Sequence, residues 1–163
     1  MGGGVLDRAL NGQGTGIGDV AVDATVGAAI GVVGGKLGEA VVNTVTERFL
    51  TSVATKAAGT VGAGQGAQHG TAVHTEFREL IKSSVGGKLL NLHPEKSFLR
   101  GKPANYGTKG SARPDVVRGN LSRPGSVYDL KTGNSPLTPK QVQKIQQNLP
   151  EPKPVRKIRP GEE

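Results

Sequence analysis

Residues 112–133 read ARPDVVRGNLSRPGSVYDLKTG, two short apolar runs separated by a turn rich in Gly, Asn, Ser and Pro. This pattern predicts a β-hairpin. Strand side chains switch faces at every residue, so Asp129 and Lys131 share one face with Val127, whereas the residues between them point to the other face. The hairpin is therefore expected to present an aspartate and a lysine side by side at the end of its second strand.

The first run of the hairpin contributes a second carboxylate, Asp115. If the strands pair with Asp115 beside Asp129, two carboxylates and the Lys131 ammonium converge on a small volume, and carboxylate oxygens are preferred ligands of hard divalent cations. A cation there would polarise a phosphate, while Lys131 would orient the attacking water or neutralise transition-state charge. The spacing favours a metal site suited to phosphodiester hydrolysis. The alternative is an ordinary surface hairpin with a solvated aspartate and lysine.

At these residues the sequence resembles the PD-(D/E)xK nuclease superfamily, with Pro114-Asp115 as the first half of the motif and Asp129-Leu130-Lys131 as the second. The resemblance covers the hairpin and its flanking helices. It implies an α+β fold with a small mixed β-sheet flanked by helices. Composition places a Gly/Ala-rich helical segment in front of that fold. The resemblance also implies Mg²⁺ or Mn²⁺ as cofactor, with Zn²⁺ as an alternative, held by the two aspartates and the Leu130 carbonyl.

More narrowly, residues 105–133 look like the restriction-endonuclease-type toxin domains at the C-termini of bacterial polymorphic toxins. The similarity is carried by Asn-Tyr-Gly-Thr-Lys-Gly at 105–110, by both halves of the motif, and by Thr132-Gly133 after it. It implies delivery as part of a larger parent toxin, by a contact-dependent inhibition or type VI-like route. The toxin would act in the cytoplasm of a competing bacterium, and the producer would need a cognate immunity protein.

A helix is expected from Thr71, with an apolar stripe along one side. At 100° per residue Glu76 falls on one shoulder of that stripe and His74 near the other. In the superfamily a glutamate on this helix often completes the metal site, so the resemblance assigns that role to Glu76. The alternative is a solvated carboxylate. A metal set of His69, His74 and Glu76 is disfavoured, because the spacing matches no helical zinc motif.

The loop before the hairpin carries residue types that suit nucleic acid. Lys102, Lys109 and Arg113 can contact phosphates, and Tyr106 can stack on a base. A solvated loop is the alternative interpretation. The immunity protein that the resemblance implies is expected to be acidic and to cover the same three cations, because complementary charge speeds association.

A last helix is expected to begin at Thr138-Pro139, because Thr caps helices and Pro favours the first helical position. Ile145 and Leu149 belong to its apolar stripe. The resemblance would place Gln141, on the flank of that stripe, against the scissile phosphate or the catalytic lysine. A surface glutamine is the alternative.

Positive charge is concentrated in the second part of the chain. Residues 71–163 hold 17 Lys and Arg against 8 Asp and Glu, whereas residues 1–70 hold 4 against 5. Such a block favours binding to a polyphosphate and makes that binding salt-dependent. Nucleic acid is the expected partner, DNA ahead of RNA, although a membrane surface or an acidic protein would suit the same charge. The absence of cysteine excludes disulfides and thiolate metal sites.

Composition divides the chain into three parts. Residues 1–70 are expected to form a Gly/Ala-rich pre-toxin or entry segment that ends in a linker at Gly59–Gly70, residues 71–150 the nuclease domain, and residues 151–163 a basic Pro-rich tail. Glycines spaced four apart from Gly27 to Gly35 favour a closely packed helical hairpin. The uncharged run there is shorter than the roughly 20 residues of a membrane-spanning helix. A packed spacer is thus preferred over membrane entry.

The expected function is metal-dependent hydrolysis of DNA phosphodiester bonds. A toxin that cleaves tRNA or other RNA with the same site remains an alternative, because the loops that would read the substrate carry no recognisable code. A second alternative, a non-catalytic basic module that binds nucleic acid or an acidic partner, applies if the two aspartates do not meet.

Overall fold

The computed structural model describes residues 36–162, with side chains from residue 38, and the glycine-spaced part of the expected helical hairpin, Gly27–Gly35, lies outside them. Helices and strands are mixed, which confirms the α+β class with a small mixed sheet. In chain order the elements are α1 (Lys36–Val61), α2 (Gly66–Ser83), α3 (Val85–Leu89), β1 (Leu92–Pro94), β2 (Ser97–Leu99), β3 (Lys102–Ala104), β4 (Val116–Asn120), β5 (Arg123–Leu130), α4 (Pro139–Asn148) and β6 (Val155–Ile158).

Four strands form the main sheet in the order β1-β4-β5-β6, and β2 and β3 pair separately. Strands β4 and β5 form the predicted hairpin, in which Val116 pairs with Tyr128 and Val117 with Val127. Strand β6 runs parallel to β5, and α4 lies in the crossover between them, the usual connection for a parallel pair. The segment expected as an extended basic tail therefore contributes an edge strand.

The two faces of the sheet are covered by different elements. Val116 and Tyr128 point toward α1 and α2, while Val117 and Val127 point toward α4 and Phe98. This alternation follows from the period of two along each strand. The first core is the larger one, and its buried members are Phe49, Leu50, Ala54, Ala57, Val73, Phe77, Ile81, Leu90, Leu92, Val116, Tyr128, Leu130 and Ile158.

Helix α1 shares a core with the residues that follow it. Its Phe49 and Leu50 are 4 % and 0 % exposed and belong to the same cluster as Val73 and Phe77 of α2. Residues assigned by composition to a spacer thus help to build the core. The break between α1 and α2 spans residues 62–65, a shorter interval than the expected linker. Helices within residues 36–162 lack the combination of length and apolarity needed to cross a membrane.

Helix α4 begins as the sequence predicts. The Thr138 hydroxyl accepts a hydrogen bond from the Gln141 backbone N–H at 3.3 Å, and the Gln141 side-chain oxygen accepts one from the Thr138 N–H at 3.1 Å. This reciprocal capping box satisfies two backbone donors at the start of the helix. Ile145 and Leu149 are buried against the second core.

A buried amide on α1 joins that helix to the sheet. The Asn43 side-chain oxygen accepts hydrogen bonds from the Ser126 hydroxyl at 2.5 Å and from an Arg118 guanidinium nitrogen at 3.2 Å. Asn43 is 8 % exposed and Ser126 5 %. Because buried donors need acceptors, this contact selects one position of α1 over the β4–β5 hairpin.

We expect Asn43→Ala to lower the free energy of unfolding by about 1–3 kcal/mol, because the buried Ser126 hydroxyl loses its acceptor and Arg118 Nη2 loses one of its two. Thr44→Ala is the matched control, since the Thr44 hydroxyl is exposed and bonds only to the Ala40 carbonyl within the helix. Its cost should stay within about 0.5 kcal/mol. Urea denaturation of the two variants makes the comparison, and equal losses would contradict a special role for Asn43.

Candidate active site

The Asp115 carboxylate connects three elements of the fold. Its Oδ2 accepts a hydrogen bond from the Leu130 backbone N–H in β5 at 2.6 Å, and its Oδ1 lies 3.2 Å from Nδ1 of His74 in α2. The Asp115 carbonyl accepts a hydrogen bond from the Glu95 N–H at 2.8 Å. Asp115 immediately precedes β4, so its main chain and its side chain are both fixed at the start of that strand.

His74 is the α2 residue whose side chain contacts the Asp115 carboxylate. Its contact with the Asp115 carboxylate raises its pKa above the usual value of 6.5, and burial opposes that increase. The charges of Asp115 and Asp129 also favour the imidazolium, and the charge of Lys131 disfavours it. An ionised carboxylate only accepts hydrogen bonds, so Nδ1 carries the proton toward Asp115.

Asp129 and Lys131 form a buried ion pair on the face predicted for them. The Lys131 ammonium lies 2.5 Å from Oδ2 of Asp129, and the two side chains are 11 % and 10 % exposed. Apart from this ion pair, Oδ2 has no hydrogen-bond partner among the described residues. Burial raises the pKa of Asp129, and the negative charge of Asp115 raises it further against the opposing effect of Lys131. The hairpin register places Asp115 opposite Asp129, and the Asp115 charge therefore raises the pKa of Asp129.

The backbone around Lys131 is held from two sides. Its N–H donates to the Ile158 carbonyl of β6 at 2.9 Å, which extends the parallel pairing beyond β5. On the other side α2 approaches the next residue closely, because a Cβ at Gly70 would lie 3.2 Å from the Thr132 hydroxyl. Glycine at this position lets the helix and the end of β5 come together.

A cleft of about 520 Å³ opens beside Asp115. One wall is the face of α2 that carries His74 and Arg78, and the other carries Glu95, Tyr106 and Arg113. Asp129 and Lys131 do not line it. Of the two aspartates, Asp115 is thus the one that borders the cleft.

Two arginines converge on a single carboxylate oxygen in this cleft. Glu95 Oε2 lies 2.9 Å from Arg78 Nη1 and 3.6 Å from Arg113 Nη1. The Arg113 guanidinium also lies 4.6 Å from the centre of the Tyr106 ring, within the range of a cation–π interaction. The sequence assigned a role to Arg113 and Tyr106 but none to Arg78 or Glu95.

The structure places Glu76 differently from the expectation. The buried positions of α2 are Val73, Phe77 and Ile81, whereas Leu80 is only half-buried. Without Leu80 the buried face turns toward His74 and away from Glu76, which lies two positions and about 200° further round the helix. Glu76 is half-buried, and the polar contacts described for both aspartates do not include it.

Other predicted residues remain at the surface. Gln141 is exposed, and its amide oxygen is engaged in the cap of α4, which accounts for its position without a phosphate. Lys102 and Lys109 are exposed as well and do not line the cleft. Within residues 36–162, no group of three or more His, Cys, Asp or Glu side chains is placed so that it could hold a metal ion. The acids that meet are the two aspartates of the hairpin.

No protein-family model, curated protein or solved structure matches the chain.

We expect an NMR titration in EDTA to give His74 a pKa above 6.5, and Asp115→Asn to return it toward that value. The folded-state pKa is the raised one, so the stability from this pair is fully present below the unfolded pKa of about 6.5 and is lost as pH rises through the folded pKa. Glu76→Gln is the control and should leave the titration unchanged. A wild-type curve identical to that of Asp115→Asn would refute the contact.

Proposed function

We propose that the chain is a toxin nuclease of the PD-(D/E)xK type, which hydrolyses phosphodiester bonds with a divalent cation. The observation that carries the proposal is the environment of Asp129 Oδ2, which is buried, contacts the Lys131 ammonium but no other hydrogen-bond partner among the described residues, and lies across the hairpin from a second carboxylate. Burial and the Asp115 charge both oppose ionisation of Asp129, whereas the charges of Lys131 and His74 favour it. A divalent cation shared by the aspartates would relieve that repulsion.

The donor set fits Mg²⁺ better than it fits a metal that requires many protein ligands. Mg²⁺ usually keeps several waters and binds one or two carboxylates together with substrate phosphates. Asp115 and Asp129 would hold the ion, with the Leu130 carbonyl as a further candidate ligand. Mn²⁺ accepts similar oxygen ligands. The bound ion would supply Lewis acidity toward the phosphate and lower the pKa of a water.

The protein side chains would perform the remaining tasks. Lys131 is buried and its backbone is bonded to β6, so its ammonium is a fixed positive charge of the kind that stabilises a transition state. His74 and the Leu130 N–H hold the Asp115 carboxylate in one orientation. Neither contact depends on substrate, so the site is pre-organised for catalysis.

The biological setting of this proposal rests on the toxin resemblance of residues 105–133 and on the charge of the chain. A net charge of +8 suits a nucleic-acid substrate and an acidic immunity protein. In the proposed setting a parent toxin delivers the chain into a target bacterium, where it cleaves DNA. RNA cleavage by the same residues is the second candidate, because the two aspartates and the lysine would act on either phosphodiester.

We expect purified protein to nick plasmid DNA with Mg²⁺ or Mn²⁺ and to lose that activity in EDTA, because two carboxylates without a cation repel a phosphate. Zn²⁺ and total cellular RNA complete the set of metals and substrates. Asp129→Asn, purified in parallel, controls for contaminating nucleases. Cleavage that is undiminished by EDTA would rule out the metal mechanism.

Mutations can distinguish the proposed metal-binding role of Asp129 from the proposed catalytic role of Lys131. Asp129→Asn should weaken Mn²⁺ binding and cleavage together, because it removes a negative ligand. Lys131→Ala should leave Mn²⁺ binding intact or tighter, since it removes a neighbouring positive charge, yet reduce cleavage by about 10²-fold or more. Calorimetry and plasmid nicking measure the two effects, with folding checked by circular dichroism.

Lys157→Ala is the matched control for Lys131→Ala. Lys157 pairs with Asp129 in the β5–β6 register, but its side chain is exposed, so its loss changes the net charge equally without touching the ion pair. Equal cleavage by folded Lys131→Ala and Lys157→Ala would remove the central residue of the proposal and favour a non-catalytic basic binding module.

A further inference from the structure

We propose that the cleft beside Asp115 is a nucleotide subsite that accepts an unpaired base, which makes single-stranded nucleic acid the preferred substrate. The inference rests on the proposed nuclease function and adds to it the structural class of the substrate. It is carried by three features of the cleft: its dimensions, its paired arginines and its exposed tyrosine.

The cleft has the size of a small-ligand site. Its volume of about 520 Å³ lies within the roughly 300–1,000 Å³ typical of pockets for small molecules. Its α2 wall is lined by small side chains near the end of the helix closest to Thr132, where Gly70 already permits close approach. One flipped-out nucleotide fits such a space, whereas a stacked and paired helix does not. The small α2 residues of this wall are Ala67, Gly70, Thr71 and Thr75.

The two arginines are arranged to hold an oxyanion. Arg78 and Arg113 come from different elements, yet both guanidinium groups reach one oxygen of Glu95. Guanidinium groups bind phosphate oxygens with the same planar donor geometry that they use for carboxylates. A substrate phosphate entering the cleft would compete with the Glu95 carboxylate for these two arginines, in the same cleft as Asp115.

Tyr106 supplies the surface for the base. The ring is 78 % exposed although the Arg113 guanidinium lies 4.6 Å from its centre. An exposed aromatic ring beside a phosphate-binding cation is the arrangement by which proteins stack the bases of single strands. In a duplex each base is already paired and stacked, so its face is not free to pack on Tyr106.

The test measures binding in EDTA by fluorescence anisotropy, at one fixed salt concentration, with the full chain. The probes are a labelled single-stranded decamer, its duplex, and an abasic decamer of equal length, each as DNA and as RNA. We expect the single strand to bind at least tenfold more tightly than the duplex or the abasic strand. The DNA and RNA arms identify the preferred sugar. Equal affinity for single strand and duplex would overturn the inference.

The variants assign the effect to the cleft. Tyr106→Ala should weaken single-strand binding about tenfold and leave duplex binding unchanged, while Tyr106→Phe retains the stacking face and the affinity. Arg113→Ala should weaken binding more than Arg123→Ala, its matched control on the β4–β5 hairpin, which is 83 % exposed and outside the cleft. If Tyr106→Ala and Arg113→Ala weaken single-strand binding no more than Arg123→Ala does, the cleft is not the binding site.

A spectroscopic signal reports stacking directly. The chain has two tyrosines, and Tyr128 is 1 % exposed, so fluorotyrosine labelling gives one buried and one exposed ¹⁹F resonance. The single strand should shift the exposed resonance, which Tyr106→Phe removes. An unchanged exposed resonance at saturation would contradict stacking. These measurements omit metal, so they test binding separately from cleavage. A protein that binds the single strand but does not cleave would support the subsite and contradict the proposed nuclease function. A protein that cleaves but binds single strand and duplex equally would support the nuclease function and contradict the subsite.

Discussion

The carboxylate of Asp115 is the contact on which the arrangement of the site depends. The Asp115 side chain accepts a hydrogen bond from the β5 backbone and contacts His74 of α2. The Asp115 backbone carbonyl accepts a hydrogen bond from the Glu95 N–H. The two contacts of the carboxylate are charge-assisted, and such hydrogen bonds are about twice as strong as neutral ones. These contacts fix the positions of the start of β4, the end of β5 and one wall of the cleft relative to one another. The chemistry of the site and the shape of the cleft are thus set by the same residue.

The buried pair of Asp129 and Lys131 has a different balance. Removing two charges from water costs several kcal/mol for each ion, so a buried ion pair is weak evidence for stability. The two apolar cores on either side of the sheet supply the stability that permits such a pair to persist. An acid and a base held in an unfavourable environment at the end of a strand agree with the reactive roles proposed for them.

Features that depend on neighbouring residues could be predicted from the sequence. The hairpin, its two faces and the cap at Thr138 follow from alternation and local hydrogen bonding, and the structure has them. The choice between His74 and Glu76 did not follow, because the rotation of α2 is set by which of its apolar side chains meet α1. Likewise Glu95 and Arg78 are 17 positions apart, and a lone glutamate in a loop carries no signal of its arginine partner.

The edge position of β6 has a consequence for the order in which the protein is made. Translation proceeds from the N-terminus, so the hairpin leaves the ribosome before Ile158, whose carbonyl binds the Lys131 N–H. A nascent chain that stops short of this strand has the aspartates and the lysine in its sequence, yet its parallel edge is missing. The β6 edge beside Lys131 can therefore form only after the whole hairpin has been made.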